Sequence, residues 1–126
     1  MYEVNRSLVV LVPQAPFWYW LSNLPEIELD GLELEDLQAD PNSYLIDPIE
    51  ELDEAWDLAA AQVQTLFSAE LADWCEDSTV WPDLHADIFF EWFDLRVSSI
   101  VSDLSAQPLE REAFEAIDWE NKGASA

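Results

Sequence analysis

Residues 7–13 read SLVVLVP. Five consecutive Val and Leu residues, opened by Ser7 and stopped by Pro13, are too short for a buried helix and rich in β-branched side chains. They predict a buried strand. A buried strand needs neighbours and a cover, so the rest of the chain is read for both.

The cover comes first. Pro16 opens a short helix through Leu21 or Asn23, since proline suits the first helical turn, and Pro25 ends it. Asp47-Pro48-Ile49-Glu50 is a helix-start pattern: Asp47 as cap, Pro48 in the first position, Glu50 as the acid that reaches back. Ile49, Leu52, Trp56, Ala59, Val63, Leu66 and Phe67 follow at helical spacing, so one long amphipathic helix is expected. It should end near Phe67 or Ser68, with a further turn through Leu71, Trp74 and Cys75. A second amphipathic helix is expected over Asp83 to Phe93, after a loop from Asp77 to Pro82.

Two further strands are expected: Ser43 to Ile46, after the turn residues Asp40-Pro41-Asn42, and Leu95 to Leu104, where Val97, Ile100, Val101 and Leu104 alternate imperfectly. The segment around Asp30-Gly31 fits either a hairpin or a short helix over Glu33 to Ala39, and the helix is preferred. The expected fold is therefore α+β, one small domain. A sheet of about three strands is covered by two main amphipathic helices plus short ones. Residues 1–107 form the compact body. Residues 108–126 form a short amphipathic helix with Leu109, Phe114 and Ile117, and a frayed end from Gly123 to Ala126.

Composition agrees with a folded body. The chain has 126 residues, 50% hydrophobic and 13% aromatic, with seven Trp. That length buries roughly two thirds of the unfolded surface, and a disordered acidic chain would lack those aromatics. The single Cys75 cannot form an internal disulfide. Arg6 before Leu8 to Val12 is too short and lacks a cleavage site for a signal peptide. No run approaches the ~20 apolar residues of a membrane span. The cytoplasm is the expected compartment.

Charge is the strongest signal. The formal net charge is −24, from 28 acids against Arg6, Arg96, Arg111 and Lys122. No Lys or Arg lies between Arg6 and Arg96, a stretch with 21 acids. Such a surface repels nucleic acid and anionic lipid, so neither is an expected direct partner. Basic proteins and cations are favoured.

Several motifs, RSLVVLVPQAPFWYWLSNLP, YLIDP, LADWCEDSTVWP and FFEWFDLRVSSIVSDL, occur here in one order. In them the chain resembles a family of short, acidic, uncharacterised bacterial proteins. The resemblance covers about Arg6 to Leu104 and leaves the C-terminal tail outside. It implies one compact domain and brings no activity with it.

Candidate chemistry is thin. Glu26, Glu28, Asp30 and Gly31 imitate the start of a calcium loop, but the twelfth position is Leu37 instead of a bidentate acid. One His and one Cys are too few for a structural zinc site. His85 reads as a surface or capping residue. Asp73, Glu76 and Asp77 disfavour a Cys75 thiolate. With Gly31 and Gly123 as the only glycines, no phosphate loop exists. No catalytic residue, metal ligand or cofactor is expected.

What remains is interaction. Glu26, Glu28, Asp30, Glu33, Glu35 and Asp36 form one acidic segment; Glu50, Asp53, Glu54 and Asp57 share a second face. Carboxylates fixed on a folded body can imitate a phosphate array and occupy a basic protein's groove. The plain alternative is a solvated face near a helix start, where the dipole favours acids. Phe17, Trp18, Tyr19 and Trp20 cannot all face one side of a helix, so Trp18 and Trp20, with Trp81 in its Pro-flanked loop, are candidate aromatic contacts. Two other readings compete with a basic-protein partner. One is acidity shared by all proteins of a salt-adapted source. The other is a carboxylate-based metal-dependent hydrolase.

Overall fold

In a computed structural model of the chain, residues 1–25 and 27–114 are described. The elements run β1 (Tyr2–Val4), β2 (Ser7–Pro13), α1 (Ala15–Ser22), α2 (Leu34–Ala39), β3 (Asn42–Ile46), α3 (Asp53–Ala61), α4 (Val63–Ala72), a 3-10 turn (Ser78–Val80), α5 (Ala86–Trp92), β4 (Phe93–Ser98) and β5 (Val101–Asp103). The α+β expectation holds: this is a small single domain with a three-stranded antiparallel sheet, a two-stranded sheet and five helices among the described residues.

SLVVLVP is the central strand. Order in the main sheet is β3-β2-β4, both pairings antiparallel. Ser7, Val9 and Leu11 face one side together with Tyr44 and Ile46 of β3 and with Phe93, Leu95 and Val97 of β4. This is the helix-covered side, where Val9 and Leu11 are fully buried. The opposite side carries Leu8, Val10 and Leu45 partly exposed, beside Ser43, Asp94, Arg96 and Ser98. Pro13 lacks an N–H but sits at the strand's end, and its carbonyl accepts from Gln38 Nε2 at 3.0 Å.

The core under the covered face is aromatic. Phe67 of α4 meets Phe89 and Trp92 of α5 and Phe93 of β4, at ring-centroid distances of 5.4, 5.5 and 5.9 Å. Phe17 of α1 closes on Phe93 at 5.2 Å. All three interplanar angles at Phe67 are edge-on, the arrangement that ring quadrupoles favour.

Four expectations are corrected. The long helix is two helices, broken at Gln62 (φ −110°, ψ 22°). Ala55 and Ala59 of α3 are small and fully buried, whereas α4 presents the bulky Phe67 and Leu71. The break falls between a stretch that buries small side chains and one that buries large ones. The helix also starts later than the Asp47-Pro48 pattern implies. It begins at Asp53, and Glu54, not Glu50, serves its entry: its carboxylate accepts from the N–H groups of Glu50 (2.8 Å) and Glu51 (3.1 Å). Next, α4 runs through Ala72, past the expected stop at Phe67 or Ser68. Finally, Leu95 to Leu104 is not one strand. β4 starts at Phe93 directly after α5, the chain turns at Ser99-Ile100, and β5 leaves to pair with the unanticipated β1, Tyr2 opposite Asp103.

One local reading holds and one does not: a short helix follows Gly31, and the expected C-terminal helix is not formed over the described residues past 107. Asp30-Gly31 makes no hairpin; Gly31 has φ +76° in a turn before α2, a conformation costly for other residues. Glu33 and Asp36 cap α2 reciprocally. Leu109 and Phe114 are exposed and no helix is formed over 108–114; Ile117 and the expected frayed end lie outside the described residues.

Ser7 is fully buried at the start of β2. Its hydroxyl donates to Ser99 O (3.0 Å) and accepts from Ile49 N (3.1 Å), joining β2, the turn before α3 and the β4–β5 corner. Ser7→Ala leaves both backbone groups without this partner, so urea denaturation should show a loss of about 1–3 kcal/mol. A midpoint that does not move would show that water replaces the hydroxyl.

Candidate interaction surfaces

Three places on the molecule concentrate polar or aromatic side chains. The first is the acidic surface. Glu28, Asp30, Glu33, Glu35 and Asp36 lie in and before α2; Glu50, Asp53, Glu54 and Asp57 lie at the entry and first turns of α3. All nine are exposed, and Glu26 lies outside the described residues. Three of them also serve the chain itself: Glu33 and Asp36 in the α2 capping box, Glu54 in the turn before α3. Those backbone N–H bonds hold the Glu54 carboxyl below the usual carboxylate range. Cations are scarce beside this surface: Arg96 Nε reaches Asp94 at 3.3 Å, both largely exposed, a contact worth little in water.

The second place is a recess lined by Asp36, Asp40, Asn42, Glu70, Asp73 and Trp74, among others. Glu70, only 5% exposed, faces the sheet from α4. Its Oε2 accepts from Tyr44 Oη and Asn42 Nδ2, each at 2.6 Å, while Asn42 also donates to Asp73 at 3.1 Å. Burial pushes the Glu70 carboxyl above its ordinary value; the bonds from Tyr44 and Asn42 pull it down, and Asp73 adds a smaller push upward. Burial and then the Glu70 charge raise the Tyr44 hydroxyl far above its ordinary value. This polar joint ties α4 to the edge strand β3. Among the described residues no three His, Cys, Asp or Glu side chains converge closely enough to hold a metal ion.

The third place is an open groove of about 590 Å³ lined by Ala15, Pro16, Tyr19, Trp20, Val80, Trp81, Pro82 and Trp92. It forms because α1 and α5 pack side by side, with Trp20 and Trp92 at 6.1 Å, and the 3-10 turn closes one wall. Trp20 Nε1 donates to Val80 O (2.9 Å) and Trp81 Nε1 to Cys75 O (2.8 Å), which fixes both rings. Tyr19 is 73% exposed. The structure thus brings Trp20 and Trp81 together, while Trp18 is half-buried against the core and does not line the groove. Tyr19 and Trp92 were not singled out by the sequence, because nothing local shows that residues 19 and 92 meet. The run of four aromatics was the available signal.

His85 caps α5, its Nδ1 accepting from Asp87 N at 3.1 Å. Cys75 is half-buried after α4. No helix of the described residues is long and apolar enough to cross a membrane. No family model, curated protein or solved structure matches the chain.

Between the ordinary carboxylate value and Glu70's raised one, the folded protein keeps a proton that the unfolded chain has lost. Stability therefore falls as pH rises through that window. Glu70→Gln keeps an acceptor for Tyr44 and removes the titration. Urea midpoints in high salt, which screens the general repulsion, should be flatter with pH for this variant and no lower than wild type at neutral pH. Glu70→Leu strands the Tyr44 hydroxyl and should lose about 1–3 kcal/mol.

Proposed function

We propose that this domain is a protein-interaction module whose exposed carboxylates engage a basic, nucleic-acid-binding protein in place of phosphates. The observation that carries this reading is the exposure of nine acids in two groups on one ordered body, in a chain with four bases. Each ionised carboxylate offers two oxygens, the geometry that a guanidinium fork matches bidentately. Glu33, Asp36 and Glu54 are held by backbone N–H groups. Their charges are therefore fixed in place at lower entropic cost on binding than free side chains would incur. Association would be fast and would weaken steeply with salt.

The full chain, immobilised and exposed to lysate of its own host, should retain a basic nucleic-acid-binding protein that a control of matched negative charge does not. That protein should leave at moderate salt. A variant with Glu28→Gln, Asp30→Asn, Glu35→Gln, Glu50→Gln, Asp53→Asn and Asp57→Asn spares the three capping acids. It should bind the purified partner about tenfold or more weakly. Equal recovery on bait and control would sink the reading, and acidity would then be a property of the source's proteins in general.

A further inference from the structure

The aromatic groove lies outside what carboxylates explain. Its eight lining residues include no charged side chain, and four of them are aromatic. We propose that it docks an extended, proline-containing segment of a basic protein, with prolines seated against Tyr19, Trp20, Trp81 and Trp92. The charge of that segment rests on the basic-partner reading above; its conformation does not.

Three observations point to this occupant. The first is the wall chemistry. A polyproline II strand is pre-ordered, has no internal hydrogen bonds and docks on aromatic-lined grooves. Here the rings are already positioned, because Trp20 and Trp81 are tied to backbone carbonyls within the domain. Little ordering cost remains for binding.

The second is donor supply. No acceptor among the described residues takes the Trp92 N–H or the Tyr19 O–H. Neither group is a buried orphan. Tyr19 is 73% exposed and the Trp92 N–H is not sealed from solvent, so both can donate to the unpaired carbonyls of an extended strand seated on the rings.

The third is charge complementarity. Asp83 follows Pro82, Asp87 and Glu91 lie on α5 before Trp92, and all three are exposed. No Lys or Arg lies anywhere from residue 7 to residue 95. Arg or Lys flanking the prolines would find these exposed carboxylates close in sequence to Pro82 and Trp92. A second copy of this chain is a poor occupant, because it would bring a charge of −24 against the same sign.

The test titrates the full-length, isotope-labelled chain with a synthetic peptide carrying Pro-Ala-Ala-Pro between arginine pairs. The expected result is saturable binding that shifts the indole N–H resonances of Trp92, Trp20 and Trp81. Tyr19→Ala should weaken it about tenfold without unfolding the protein, since Tyr19 projects into solvent. Asp83→Asn with Glu91→Gln should weaken it about threefold and flatten its salt dependence. Two further peptides separate the claims. If one with alanine for both prolines binds as tightly and moves only α2 and α3 amides, the groove proposal falls while the basic-partner reading stands. If one with glutamine for every arginine binds as tightly as the first, the charge of the proposed occupant is refuted. Indole resonances that stay unmoved by the parent peptide overturn the proposal outright.

Discussion

The contact on which everything else depends is the meeting of Phe67 with Phe89, Trp92 and Phe93. It joins α4, α5 and the sheet at one point. The bases are four against 28 acids, so few carboxylates have a cation to offset them. Surface charge therefore works against the compact state, and apolar burial must outweigh it. Each buried Phe supplies on the order of 1.5–3 kcal/mol. A core of interlocked rings is the dense solution available to a chain of this size.

The acids are not uniformly idle. Some sit where backbone N–H groups need partners, at the α2 cap and the turn into α3. Glu70 is the exception that turns inward, and it is tolerated because Tyr44 and Asn42 meet it. Ser7 plays the same kind of part at the other end of the sheet's covered face. The two buried joints bind the edge of the sheet and the turns around it, places the ring cluster does not reach. The acidic surface and the aromatic groove are thus built on one rigid frame.

How much of this was legible from residues alone follows the range of the interactions. SLVVLVP announced a buried strand because its neighbours on the chain suffice to define it, while its central place in the sheet did not show. The short helix after Gly31 was legible only as a preference over a hairpin, and its capping box of Glu33 and Asp36 emerged from the structure. The break at Gln62 was hidden, since the apolar spacing from Ala55 through Phe67 continues across it without interruption. On either side of it the core takes side chains of very different size, Ala55 and Ala59 against Phe67 and Leu71, which no spacing rule reads as a break. Asp47-Pro48 gave a false helix start because Glu54, further along, supplies the acceptor instead. The pairing of Tyr2–Val4 with Val101–Asp103 joins segments about a hundred residues apart, which no local pattern encodes. The groove was half legible: four aromatics in a row required an outlet, but the partners of that outlet come from two distant segments.

The pairing of β1 with β5 has a consequence for how this body can be joined to others. Tyr2 lies directly across from Asp103, at the roughly 5 Å spacing of neighbouring strands. The first and last strands among the described residues are thus adjacent on the same small ribbon. A unit closed in this way can be spliced into a surface loop of a host protein without prying apart the loop's stems. The groove and the acidic faces would travel with it intact, as a portable cassette.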